Sequence, residues 1–252
     1  METKLKLSSK YIYEFYKGLE GTTINVFNWG EYICDTSEDG LLDVNAEFEK
    51  LTGIKVNYVT YESNEDMYPK IKNGGASYDI IIPSDYMIER MISEDMLLKI
   101  DVSALPNYKY ISDDYKNMYY DPKNEYTVPY NVGMVGLIYN TKMVEEAPTS
   151  WTALWDERYE GKILMIDNPR DAFAIPQKIL GYSLNSTDEK ELSDVAQMLI
   201  EQKPILQGYV MDQIFDKMQS GEAWLAPYYA GDAAILVEEH PEIGFIMPED
   251  QS

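Results

Sequence analysis

An α/β fold, with a parallel sheet covered by helices on both faces, is predicted by three observations. Strand-like runs alternate with amphipathic runs along the chain. Two runs, "YDIIIPS" at 78–84 and "KILMIDN" at 162–168, are continuously apolar and stop at small polar or acidic residues, as strands buried on both faces do. A length of 252 residues with 45% apolar composition is enough for one large domain or two lobes with ample core.

The elements follow in order. Residues 22–28 read as a first strand, in which Val26 and Phe27 continue the run of Thr22, Thr23 and Ile24. It opens into Asn28-Trp29-Gly30-Glu31-Tyr32, two large aromatics and an acid where a strand gives way to a loop. "TSEDGLLDVNAEFEKLTG" predicts a helix capped by Ser37, with acids in its first turn, an apolar stripe of Leu41, Leu42, Val44, Phe48 and Leu51, and Gly53 as its stop. Residues 54–61 alternate as a strand, and "NEDMYPKIKNG" reads as a short helix opened by Asn64 and weakened by Pro69. The strand at 78–84 leads into "DYMIERMISEDMLLKI", a helix. Residues 103–126 are rich in Tyr, Asn and Asp and read as loop with short turns. "YTVPYNVGMVGLIYNT", 126–141, is a long strand-like passage that crosses into a second lobe. Beyond it come a helix over "TSWTALWDERYEG" with Trp151 and Trp155 turned inward, the strand at 162–168, and an amphipathic helix opened by Thr187 and Asp188. Last, "GEAWLAPYYAGDAAILVEEH" reads as strand, a Tyr-Tyr-Ala-Gly turn and helix.

Composition narrows the chemistry. The formal net charge of −23 repels nucleic acid and anionic membrane surfaces and attracts cations, although solubility alone would also account for it. The chain has 22 Tyr and 4 Trp against 6 Phe, a bias toward aromatics with a polar edge, which suit wet clefts as well as cores. One cysteine, Cys34, allows neither an internal disulfide nor a thiolate metal cage. One histidine, His240, lies among charges and reads as a surface residue, so neither a histidine metal site nor a Ser-His-acid triad is expected. No run approaches the ~18 apolar residues of a membrane span, and the first 21 residues lack the apolar core of a signal peptide. In parallel sheets ligands bind beyond the carboxyl ends of strands, and here those ends carry Asn28-Trp29 and Pro83-Ser84-Asp85-Tyr86.

Taken together, "NWGEYI" at 28–33, "FEKLTGIKVNYVTYESNEDMYPKIK" at 48–72, "YDIIIPSDYMIERM" at 78–91, "YTVPYNVG" at 126–133, "SWTALWDERYEGKILMIDNPRDAF" at 150–173, "LGYSLNSTD" at 180–188 and "GEAWLAPYYAGDAA" at 221–234 carry a resemblance. The chain resembles the spermidine/putrescine-binding components of polyamine ABC transporters over about residues 22 to 250. The resemblance implies a type II periplasmic-binding-protein-like fold of two α/β lobes, a polyamine held between them, delivery to an ABC permease, and a periplasmic or lipid-anchored location. It implies a monomer with no cofactor, no metal, no nucleic-acid partner and no reaction. The expected division is an N-terminal extension (1–21), an incomplete first lobe (22–128) and a second lobe (129–252).

Position by position, the resemblance places Trp29, Tyr32, Ser84 and Tyr86 in the first lobe's part of the site. It places Asp167, Asn168, Asp171, Tyr229 and Asp232 in the second. A polyamine is a methylene chain with an ammonium at each end, so it needs aromatic faces along its length and carboxylates at its ends. The family's acid pair in "DDxRE" reads Asp167-Asn168-Pro169-Arg170-Asp171 here, so its second acid is an amide and its glutamate is shortened. Tyr229 stands where relatives place Trp, and Gly30 where a hydroxyl residue is frequent. The family's later aromatic-x-Asp pair falls beyond Ser252, so a truncated chain is expected; a permuted one, with the Tyr- and Glu-rich amino terminus standing for the closing helix, is the alternative. The rival readings are a binder of another cationic solute, a non-binding fragment, and a carboxylate-pair hydrolase built on Asp167 and Asp171; four residues apart at a helix start, these two would share one face and point the same way, not across a bond, which weighs against the hydrolase.

Overall fold

Where hydrophobic runs meet capping residues, the chain folds largely as its pattern dictates. The computed structural model describes residues 16–30, 32–34, 41–75 and 77–251. The Ser37 cap, Glu31 and the first fifteen residues of the extension lie outside that set. The chain divides into two units, Met1–Tyr130 and Asn131–Ser252, and each is taken by itself.

In the first unit, strand β1 (Thr23–Trp29) pairs in parallel with β2 (Lys55–Tyr61) on one side and with β3 (Ile80–Ile81) on the other. Phe27 is buried against Tyr61, with ring centroids 4.9 Å apart, and stacks on Tyr78 at 4.3 Å. Helix α1 (Val44–Thr52) starts later than the pattern suggests, because the Asp43 carboxylate caps it by accepting the Ala46 N–H at 2.8 Å. Leu41 and Leu42 therefore precede the helix and are exposed, as is Val44, so the expected stripe is not a core face there. Gly53 ends the helix at φ 71°, a left-handed conformation that glycine takes without a Cβ penalty.

Helix α2 (Asn64–Lys72) is capped by Ser63 rather than opened by Asn64, and it runs through Pro69. The third strand is two residues long and lies at the sheet edge with Ile80 49% exposed, not the buried strand expected over 78–84. Helix α3 (Asp85–Ser93) stops well short of residue 100. Asp95 takes φ 54°, which turns the chain so that Met96 and Leu97 fold back onto the core. The Tyr-rich stretch holds three short 3₁₀ turns, at Val102–Ala104, Tyr108–Tyr110 and Asp113–Tyr115. The buried Asp121 carboxylate ties down its end by accepting the N–H groups of Glu125, Tyr126 and Thr127 at 2.9–3.0 Å.

The second unit has a five-stranded sheet whose strands lie in the order 206–210, 163–166, 225–229, 135–140 and 243–246. Strand β4 (Val135–Asn140) is only the last part of the expected 126–141 passage. Gly136 within it admits the Phe245 ring: a Cβ there would lie 2.3 Å from that ring. The stretch around Trp151 forms 3₁₀ turns, Trp151–Trp155 and Glu157–Tyr159, instead of an α-helix. Trp151 is nonetheless buried, and Trp155 donates from Nε1 to the Met198 carbonyl at 3.0 Å. Strand β5 (Ile163–Ile166) is entirely buried and leads into α4 (Pro169–Leu180). Helix α5 (Glu189–Gln202) is capped by Asp188.

Three elements that the pattern did not announce follow or interleave: β6 (Leu206–Val210), α6 (Ile214–Gln219) and β8 (Ile243–Ile246). Strand β7 (Leu225–Tyr229) passes straight into α7 (Ala230–Glu239), with no separate turn. The sheet is mixed, not purely parallel. Strand β5 is parallel to β6 and β7, while β4 lies antiparallel to β7 and β8. Strand β4 enters from the passage after Tyr130 without a helical crossover, so nothing imposes the parallel direction on it.

Candidate functional site

Aromatic and polar side chains gather at the carboxyl ends of β1 and β2 in the first unit. Trp29 and Tyr61 end those strands in register, which sets their rings 4.8 Å apart. The buried Asn28 accepts the Trp29 N–H at 2.8 Å and so fixes the strand's last turn. Tyr32 lies 6.5 Å from Trp29 and 5.6 Å from Tyr130, ring to ring, and the Tyr130 hydroxyl donates to the Tyr32 carbonyl at 2.5 Å. The Tyr61 hydroxyl donates to the Ile82 carbonyl at 2.5 Å. Burial, followed by the neighbouring Tyr32, Tyr86 and Tyr58, pushes its pKa well up, so it stays a neutral donor.

Ser84 occupies the cap position of α3, yet its hydroxyl makes no capping bond. It turns to Asn64, whose Nδ2 donates to Ser84 Oγ at 3.0 Å and to the Tyr86 hydroxyl at 2.9 Å. Tyr86 in turn donates to Glu65 Oε1 at 3.0 Å. The four residues that the sequence singled out here thus form two groups, Trp29 with Tyr32 and Ser84 with Tyr86. Tyr61 adjoins both: its ring lies on Trp29 and its hydroxyl on the carbonyl two residues before Ser84.

In the second unit the group forms where β5 and β7 end. Tyr229 donates to Asp171 Oδ2 at 2.7 Å and lies 3.4 Å from Asn168 Nδ2. Burial, then the Asp171 carboxylate, raises the Tyr229 pKa, so the phenol keeps its proton. Tyr228, its neighbour, faces the core and is 1% exposed, which settles which of the adjacent pair turns outward. Asp167 is exposed at the end of β5, its N–H donating to the Val210 carbonyl at 2.9 Å. After burial, its charge is the second cause that raises the Tyr209 pKa. Asp232 is half-buried in the first turn of α7.

The helix begins at Pro169, so Asp167 and Asp171 do not share the helix face on which the sequence placed them. Asp171 is a helical residue bonded to Tyr229, and Asp167 belongs to the strand end. Among the described residues no group of three or more His, Cys, Asp and Glu fits a metal ion, and no helix is long and apolar enough to cross a membrane. The histidine, His240, ends α7 with Nδ1 3.8 Å from Glu242, and Cys34 is half-buried.

Sequence reasoning did not mark Asn64, Tyr61 or Tyr130 as site residues. Tyr61 had a signal, since an aromatic closes the strand that pairs with β1. Asn64 had a fainter one: Ser63 just before it can cap the helix, which leaves the amide available for other partners.

Comparison with known proteins bears on the family and the fold. Residues 76–251 match the family described as bacterial extracellular solute-binding protein. The spermidine/putrescine-binding periplasmic protein of Escherichia coli (strain K12) is 35% identical over 233 residues, which cover 92% of this chain and 65% of that one. The chain therefore spans about 65% of the length of such curated relatives. Among solved structures, a putative spermidine/putrescine ABC transporter protein from Listeria monocytogenes superposes with a TM-score of 0.83 at 36% identity, covering 91% of this chain and 69% of the other. A lipoprotein of Treponema pallidum superposes with a TM-score of 0.79 at 29% identity, covering 90% and 70%.

Proposed function

We propose, from the premise that this chain belongs to the bacterial extracellular solute-binding protein family, that it captures a polyamine of the spermidine/putrescine class outside the cytoplasm and delivers it unchanged to an ABC permease. The observation that carries the reading is the group at the ends of β5 and β7. There Asp167 and the Tyr229-bound Asp171 set carboxylates beside a phenol held neutral, in a chain whose net charge is −23. An ammonium near a carboxylate gains ~4 kcal/mol at an effective dielectric near 20, before desolvation is subtracted. The aromatic group of Trp29 and Tyr32 supplies the complementary chemistry, apolar faces for methylenes and a cation–π contribution of ~0.5–2 kcal/mol.

The names of the relatives support this reading, because those proteins are described as binding spermidine, putrescine or cadaverine. A second reading, a different cationic solute, is favoured by one feature. Asn168 stands where the resemblance expects an acid, and it is buried, so on that reading this group has one anchor fewer for an ammonium. A thermal-shift series separates the two. Spermidine and putrescine at ~100 times their dissociation constants should add about 2.7 kcal/mol of stability. Butanediol, which has the same methylene spacing and no charge, should add nothing. A shift with other organic cations but with neither polyamine would favour the second reading. Turnover of a glycoside substrate would instead restore the hydrolase.

A further inference from the structure

Asn64 is the most deeply placed polar side chain near the first unit's aromatic group, and capping does not require it. It is fully buried at the first position of α2, with Ser63 already accepting the Asp66 N–H as the cap. Its amide instead reaches residues 20 and 22 positions further along the chain. The direction of each bond follows from chemistry. The Ser84 backbone N–H only donates, and it points at Oδ1 at 3.2 Å, so that atom is the acceptor. The other end of the amide must then be the NH₂, and its two hydrogens go one to Ser84 Oγ at 3.0 Å and one to the Tyr86 hydroxyl at 2.9 Å. An exchange of the amide's O and N would set a donor against the Ser84 N–H, which has no lone pair to accept it.

We infer that Asn64 is a positioning residue for ligand capture, holding the Ser84 and Tyr86 hydroxyls in one orientation from behind and fixing which of their lone pairs are used internally. The inference rests on the reading of Ser84 and Tyr86 as ligand contacts. With one lone pair of each hydroxyl engaged by Asn64, both side chains are ordered before the ligand arrives, and less rotamer freedom is lost on binding. The Tyr86 proton is directed to Glu65, so the hydroxyl is held as part of a hydrogen-bond chain, Asn64 to Tyr86 to Glu65, that runs from the buried start of α2 to its exposed first turn.

The test is a mutant cycle read by calorimetric titration of the whole chain with putrescine and with spermidine. N64A should weaken binding by about tenfold, the equivalent of one hydrogen bond's net worth. In an S84A/Y86F background the same N64A change should alter affinity by less than about twofold, because the hydroxyls it positions are gone. An equal loss in both backgrounds would overturn the inference, since it would mean that Asn64 acts only on the fold. If N64A does not fold, the wild-type chain serves: the Asn64 side-chain NH₂ resonances should shift along the same saturation curve as the calorimetric heat. NH₂ resonances that stay still while the amine saturates would overturn the inference and leave the proposed function standing. Absence of amine binding by the wild-type chain would overturn both.

Discussion

The two units are stabilised in different ways. The second buries an aliphatic core around a five-stranded sheet in which every residue of β5 is inaccessible. Among the described residues, the first has a smaller core around three strands, built of Phe27, Tyr61, Tyr68 and three methionines, with Ile80 half-exposed at its edge. Buried apolar area contributes about 25 cal/mol per Å², so the second unit should stand well by itself while the first has little to lose. The difference also reaches the candidate site. In the first unit the site borrows from the core: Tyr61 packs on both Phe27 and Trp29, and Asn64 is fully buried. In the second, the candidate carboxylates Asp167, Asp171 and Asp232 stand on strand ends and first helical turns outside the core cluster, while Tyr229 packs against that cluster and Asn168 is buried. The lesson is that the carboxylates of the second unit should separate binding from stability, whereas the aromatic group of the first entangles the two.

The largest expected effect tests the core itself. Leu164→Ala, in the middle of β5, should cost about 3 kcal/mol, as large-to-small changes at fully buried sites do. Denaturant unfolding followed by tryptophan fluorescence would measure it; a loss under 1 kcal/mol would mean that the sheet is packed more loosely than described. Asp171→Asn comes next. It keeps a hydrogen-bond acceptor for Tyr229 but removes the charge, so affinity for putrescine should fall by about 1.5–3 kcal/mol with little change in the melting temperature. Trp29→Ala should cost about 0.5–2 kcal/mol of binding and, unlike the change at Asp171, should lower the melting temperature too, because the ring packs on Tyr61. If both variants behaved alike in calorimetry and melting, the contrast between the units would be wrong.

The smallest effect is on acid stability. Glu94 accepts hydrogen bonds from Lys72, Tyr68 and Arg90, and these hold its pKa down at about 2 against an ordinary 4.5. A carboxylate depressed in the folded state contributes stability that is present above the unfolded value and lost as pH falls through the folded one. Glu94→Gln should therefore flatten the stability profile between about pH 4.5 and pH 2 and leave its slope near neutrality unchanged, as acid titration of the unfolding midpoint would record.

How much of this was legible in the sequence depends on how local the cause is. Strand β5 announces itself as "ILMI" because burial on both faces selects continuous apolar residues, and α5 announces itself through Asp188, whose carboxylate caps within three residues. The family motifs carried the α/β fold and the solute-binding relationship. What failed to show is what depends on distant partners. Strand β8 is four residues long and contains Gly244, and that glycine makes sense only beside Tyr139, whose ring would lie 2.5 Å from a Cβ there. The helix expected over 149–161 broke into 3₁₀ turns where Ser150 and then Asp156 each cap a new start. At the site, the choice between Tyr228 and Tyr229 needed the β7 register, and the role of Asn64 needed partners 20 and 22 residues away. Local alternation carries no information about such pairs.

The measurement that bears most directly on the central claim is calorimetric titration of this chain with spermidine and putrescine at low and moderate salt. The account predicts saturable heat at one ligand per chain, with an affinity of about 8 kcal/mol or better, which is micromolar, and a weaker affinity as salt screens the carboxylates. A folded chain that takes up neither amine at millimolar concentration would contradict it.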